Sequence, residues 1–204
     1  MKTLEVKITF TEGILGTSPN DEDIYRNYII EKGKAAGAKI DEIDEQEEVD
    51  ALPLDEEIEK GMTVFARNED GKPCLYDYQI KGFFKDTCSM LKKVSGSKSS
   101  GLRAHKKEID GLIFVNPRMI ELQDAELTVC QRPLRAQTAM GERVALAMSE
   151  EIKAGAWMEV EITCMVDSQI DLVREWLDYG KFRGIGQWRN SGKGRFEWQE
   201  LRCW

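Results

Sequence analysis

Apolar residues recur at period two between positions 2 and 10. Leu4, Val6, Ile8 and Phe10 share one face and polar residues the other, which predicts a half-buried strand. After Gly13 and Gly16, the run Ser18-Pro19-Asn20-Asp21 reads as a helix start, followed by an apolar stripe of Ile24, Tyr25, Tyr28 and Ile29. Residues 62–67 and 74–76 flank Asn68-Glu69-Asp70-Gly71, whose Asp-Gly pair suits a hairpin turn with positive φ. Tyr78 to Phe84 reads as a strand that passes through Gly82 into a helix from Lys85, with Phe84, Cys88 and Leu91 on one stripe. Short strands are predicted at 111–122, 126–132 and 142–148, and a clear alternating one at 157–164. Asp167 or Ser168 caps a helix carrying Ile170, Val173 and Leu177, which ends near Gly180. A glycine-rich segment then leads into a last strand, Arg195 to Leu201.

Two stretches break the pattern. Residues 31–60 hold only scattered aliphatics among acids, read as an acidic insertion whose 41–59 stretch is a solvated face. Residues 92–107, rich in serine, glycine and lysine and without apolar period, read as a basic flexible arm.

Length and composition narrow the class. A chain of 204 residues with 41% hydrophobic and 32% charged side chains suits one buried core, so a single domain over 1–204 is expected. No apolar run approaches the roughly 18 residues of a membrane span. The N-terminus alternates where a secretory leader would be continuously apolar, which makes a cytoplasmic location the expectation. Cys74, Cys88, Cys130, Cys164 and Cys203 are odd in number, widely spaced and never in a CxxC pair, so neither a disulfide framework nor a zinc site is signalled. No metal and no cofactor are called for.

Net charge is −8, yet its distribution changes the picture. Residues 1–60 hold 7 Lys and Arg against 17 Asp and Glu, while the rest hold 22 against 20. From Lys85 to Lys107 there are seven basic residues and a single acid, Asp86. With a screening length of about 8–10 Å, a local basic groove binds a polyanion whatever the global charge.

The densest chemistry lies in 182–196, FRGIGQWRNSGKGRF. Gly184-Ile185-Gly186 and Gly192-Lys193-Gly194 bracket Gln187-Trp188-Arg189-Asn190-Ser191, a G-x-G-x5-G-x-G spacing. Glycines permit positive φ and close backbone approach, while Arg183, Arg189, Lys193 and Arg195 supply charge and forked donors for phosphates. The segment lacks the GK[ST] of a P-loop and the G-x-G-x-x-G of a dinucleotide turn, so nucleotide cofactors are excluded. A structural hairpin with glycine kinks is the alternative reading. Trp188 is a candidate to stack on a base or to pack in the core. Arg132-Pro133-Leu134-Arg135 and Arg143 are basic residues about the short strands, suited to binding or to exposed salt bridges.

This segment resembles the C-terminal glycine-rich loop of the RAMP superfamily (repeat-associated mysterious proteins). Tyr78-Gln79-Ile80-Lys81-Gly82-Phe83-Phe84-Lys85 is similar to the strand–KG–helix entry of backbone subunits of CRISPR effector complexes, and 153–186 to their terminal strand, helix and loop. A stand-alone relative on a mobile element is an equal reading. The resemblance implies an α+β fold with a ferredoxin-like, RRM-type βαββαβ core and insertions, its antiparallel sheet packed on helices. It also implies single-stranded RNA or DNA held along the sheet edge, and self-association or assembly with other subunits. The implied binding set is Lys81, Lys85, Arg183, Gly184, Gly186, Arg189, Gly192, Lys193, Gly194 and Arg195, with the 92–107 arm in the place of an inserted thumb.

For cleavage the chain offers His105 in the basic arm, a type of residue the superfamily's processing nucleases use as acid or base, and Asp21 or Asp23 near the first strand. None sits in a specific motif. The expectation is binding without catalysis. The alternatives are a metal-independent endoribonuclease, and an interaction or inhibitor protein that presents its acidic surface to a nucleic-acid-binding partner.

Overall fold

The computed structural model describes residues 1–19, 62–138 and 141–204. The expected insertion at 31–60, the stripe from Ile24 to Ile29, and Asp21 and Asp23 lie outside the described residues.

Strand β1 (Lys2–Phe10) buries Leu4, Val6, Ile8 and Phe10 and leaves Thr3, Glu5, Lys7 and Thr9 on the opposite face. The chain continues through β2 (Ile14–Leu15) and β3 (Ser18–Pro19). The expected helix start at Ser18 is a correction: Ser18 and Pro19 pair antiparallel with β4 (Thr63–Val64). Proline at a strand end forfeits no ladder bond it would otherwise donate, so capping residues alone do not decide for a helix. The hairpin of β5 (Ala66–Arg67) and β6 (Pro73–Tyr76) forms as predicted. Gly71 adopts φ 76°, and Asn68 Oδ1 accepts from the backbone N–H groups of Asp70 and Lys72 at 3.1 and 2.8 Å.

Helix α1 (Asp77–Leu91) begins eight residues before the predicted start at Lys85, so 78–84 is helix and not strand. Ile80, Phe83, Phe84, Thr87 and Cys88 are its buried stripe, at helical spacing from the first turn. The start is set by Gln79, whose Oε1 accepts from the Tyr76 N–H at 2.7 Å, with Asp77 in the first turn.

The 92–107 arm is built differently from the expectation as well. Glu175 of α3 (Gln169–Asp178) accepts from the N–H groups of Lys98 and Ser99 at 2.7 and 3.0 Å and from Ser99 Oγ at 2.6 Å. Trp176 Nε1 donates to the same hydroxyl at 2.9 Å. A carboxylate 76 residues away thus fixes the centre of the arm, and its end is already the first turn of α2 (His105–Leu112). No local apolar period announces an anchor made of backbone N–H groups.

Next come β7 (Ile113–Asn116), β8 (Met119–Glu121), β9 (Leu127–Thr138), β10 (Gly141–Ile152), β11 (Trp157–Cys164) and, after α3, β12 (Phe196–Cys203). In place of short strands at 126–132 and 142–148, β9 and β10 form one long antiparallel hairpin in continuous register from Leu127↔Ile152 to Thr138↔Gly141. Pro133 is tolerated there because, among the described residues, β9 pairs on one side only, with β10.

The molecule is α+β. Its central sheet is antiparallel throughout, in the order β12-β1-β11-β7. One face of β1 and β11 joins Phe83, Phe84, Ile109, Ile170, Val173 and Trp176 of α1, α2 and α3 in a single core. Phe83 meets Phe196 edge-on at 5.2 Å between ring centres. Two smaller sheets, one with β2, β3, β4, β9 and β10 and one with β5, β6 and β8, flank this layer. No helix among the described residues is long and apolar enough to cross a membrane. The five cysteines are free thiols.

Candidate nucleic-acid interface

The glycine-rich segment occupies the turn between α3 and β12, and its two G-x-G arms close on each other. Ile185 N–H donates to Gly194 O at 3.0 Å, and Gly194 N–H donates to Gly13 O at 2.8 Å. A Cβ on Gly184 would fall inside the backbone of Lys193 and Gly194, and one on Gly194 inside the Ile185 carbonyl. Close approach of two backbones is therefore what these glycines serve. Spacing alone had left this open against exposure of N–H groups to a polyanion.

The predicted cations sort by partner. Arg183 and Arg189 both reach Asp86 of α1, Arg183 through Nε and Nη2 and Arg189 through Nη1 at 3.0 Å. The Asp86 side chain is only 3% exposed. Two guanidinium groups around one buried carboxylate offset its desolvation and clasp the start and the middle of the loop to α1. Lys193 pairs with Glu151 of β10. Lys81 and Lys85 point elsewhere: Lys81 Nζ donates to the Asp110 carbonyl at 3.3 Å, and Lys85 Nζ pairs with the Asp110 carboxylate at 3.0 Å. They join α1 to α2 and stand apart from the loop.

Arg195 holds the N-terminal turn through its carbonyl, which accepts from Thr11 and Glu12 at 2.9 and 3.3 Å. Its guanidinium lies against Gly192, and its Nε is buried without an acceptor among the described residues. Trp188 sits in the left-handed region at φ 55° and leaves 40% of its surface open, so it is a rim residue and not a core one. Phe182 at 61% exposure stands on the same loop. Arg132, on β9, points its guanidinium over the Trp188 ring at 5.2 Å and donates from Nη2 to Gln187 Oε1 at 2.8 Å. Arg135 and Arg143 lie on the hairpin strands, where their side chains are outside the description.

His105, at the start of α2, meets Ser89 Oγ through Nε2 at 3.2 Å, which places it at the α1–α2 seam. Among the described residues, no three His, Cys, Asp or Glu side chains converge as metal ligands would.

The face of the central sheet away from the helices is acidic. Glu5 lies directly opposite Glu161, and Glu159 opposite Lys7. A shallow groove there is lined by Glu5, Asn116, Pro117, Glu159 and Glu161. Glu5 and Glu161 are a like-charge pair, while Lys7 faces Glu159 and Arg202 pairs with Glu5, so the groove itself, lined by three glutamates, disfavours a phosphate chain.

Sequence reasoning missed Asp86, Glu151, Glu175 and Gln187. Asp86 had a signal, as the lone acid in a run of seven cations. The others are readable only once distant strands and helices meet.

No family model and no curated protein sequence matches the chain. Solved structures do match in fold. A chain in the cryo-EM structure of the Type III-B Cmr-beta complex bound to cognate target RNA superposes with a TM-score of 0.55 at 11% sequence identity. The match covers 99% of this chain and 60% of that one, so this chain spans about three-fifths of its neighbour's length. At that identity the likeness is one of fold.

Proposed function

We propose that this chain is a RAMP-like, single-stranded nucleic-acid-binding protein with RNA as its ligand, a single domain built on a ferredoxin-like βαββαβ core. Two features support the core. The order β12-β1-β11-β7 is that of a βαββαβ sheet, and helices follow its first and third strands in sequence. The complex whose chain shares this fold is bound to RNA.

The observation that carries the binding reading is the rigid rim of the glycine-rich segment. The two arms are locked together, tied to Gly13 and clasped to α1 through Asp86, so Trp188 is held open with Arg132 against its ring, and Phe182 stands exposed on the same segment. Aromatic faces that stack bases, interleaved with cations that meet phosphates, form the usual surface for a single strand. The strand runs along this rim, because the open sheet face is lined by Glu5, Glu159 and Glu161. Several copies then assemble side by side along one strand.

The test is anisotropy of a labelled single-stranded RNA against protein. Affinity falls by about sevenfold between about 50 and 200 mM salt if a single strand meets two cations, and more steeply with each further contact, and Trp188→Ala with Phe182→Ala weakens it further. No binding at the lower salt rejects the reading. Alanine at Arg183 or Arg189 is unsuitable for this test, since it leaves Asp86 buried with one partner fewer.

A second reading, a protein that offers an acidic surface to a basic partner, has the opposed glutamates of the open face in its favour. Charge reversal at Glu159 and Glu161 then abolishes partner capture and leaves RNA anisotropy unchanged.

A further inference from the structure

Arg132 is 9% exposed, and its Nε and Nη1 meet no acceptor among the described residues. Its one hydrogen bond among the described residues, from Nη2, goes to the neutral amide of Gln187, itself 8% exposed. No carboxylate among the described residues pairs with it, unlike Arg183, Arg189 and Lys193 of the same neighbourhood. Burial pushes its pKa down, the sign of a guanidinium stripped of water without a counter-charge. A cation in that state is costly, and a neutral acceptor does not offset the charge.

Two independent features surround it. Trp188, over the guanidinium, adopts φ 55°, a conformation that costs a bulky residue free energy and persists only when its surroundings impose it. The loop that imposes it also carries Arg195, whose Nε is buried and without an acceptor among the described residues. Two under-satisfied guanidinium groups therefore flank one short turn whose central ring is held partly open to solvent.

We infer that Arg132, Gln187 and Trp188 form a seat for one phosphate group of a nucleic-acid strand, with Arg132 as its donor fork. The phosphate accepts from Arg132 and supplies the missing negative charge, Gln187 holds the guanidinium plane, and the exposed part of Trp188 takes the adjoining base. A guanidinium is the right donor because its planar fork matches two oxygens of a phosphate. The open indole favours a nucleic-acid strand over a phosphorylated peptide, which brings no base to stack. This inference rests on the binding reading above for the source of the phosphate but not for its chemistry.

The experiment compares the full chain with Arg132→Met, Arg132→Lys and Trp188→Ala, using labelled single-stranded RNA and, separately, inorganic pyrophosphate. The expected result for Arg132→Met is a loss of RNA affinity of about ten- to hundredfold, with the slope of log affinity against log salt reduced by about one. Arg132→Lys restores the slope and only part of the affinity, because the charge returns without the fork. Without ligand, Arg132→Met melts higher than the parent by about 2–4 °C, since it removes an unbalanced buried charge. Lower melting or failure to fold shows a structural role and overturns the seat, and Trp188→Ala then shows separately whether the rim contacts RNA. Unchanged affinity and slope in Arg132→Met, with RNA still bound, overturn the seat and leave the binding reading intact. If RNA does not bind but pyrophosphate raises the melting temperature of the parent and not of Arg132→Met, the seat stands and the nucleic-acid source is rejected. No response to either probe rejects both.

Discussion

Asp86 of α1 accepts a 3.0 Å hydrogen bond from Arg189, 103 residues further along the chain, and so ties the glycine-rich turn to the first long helix. Arg183 completes the clasp from the start of the turn. The same contact explains why a loop full of glycine is held rigid and why two of its arginines are committed to the fold.

Asp86→Ala is expected to cost about 3 kcal/mol, since it strands two half-buried guanidinium groups, whereas Arg189→Ala costs less because Arg183 remains on Asp86. Urea unfolding of the two variants checks this order. Equal losses would show that the clasp is not shared.

Gly184→Ala or Gly194→Ala places a methyl group inside the opposing backbone and is expected to destabilise by at least about 2 kcal/mol. Gly82→Ala, in α1 with open space around its Cβ position, should instead stabilise by about 0.5–1 kcal/mol. Melting curves of the three variants separate glycines required by contact from one that is incidental.

Glu175→Ala removes the acceptor of Lys98 and Ser99 and leaves the buried Ser99 N–H without its partner. A loss of about 1–3 kcal/mol is expected, with faster amide exchange at 97–101 and faster tryptic cleavage at Lys98 and Arg103. Unchanged exchange there would show that the arm is ordered by something else.

Thiol reactivity should divide the cysteines. Burial raises the Cys74 and Cys88 thiols, and raises Cys164 to about 11. A raised pKa keeps the protonated, unreactive form through the neutral range and, for Cys164, up to about pH 10. Alkylation of native protein at pH 8 followed by mass analysis should modify exposed Cys203 first and these three only on unfolding.

Elements with a strong repeat of their own were legible in the sequence: β1, β11, α3, the Asn68–Gly71 turn, and a last strand close to its predicted bounds. Where local cues competed, the reading slipped. The helical stripe of α1 began inside a stretch that also resembled a strand, Ser18-Pro19 had the composition of a cap but paired as a strand, and β9 and β10 ran on past residues taken as strand ends. The candidate site was legible as a glycine-rich segment with four cations, but the work of each cation was not.

From its own order the chain dictates which faces are apolar, because side-chain periodicity is local. It likewise dictates that glycines bracket a basic, tryptophan-bearing turn. Tertiary structure alone decided which charges are neutralised, because Asp86, Glu151 and Glu175 meet their partners across 42 to 103 residues. It also decided that Arg132 is buried without a counter-charge among the described residues, since burial and pairing are properties of the assembled surface and no single segment encodes them.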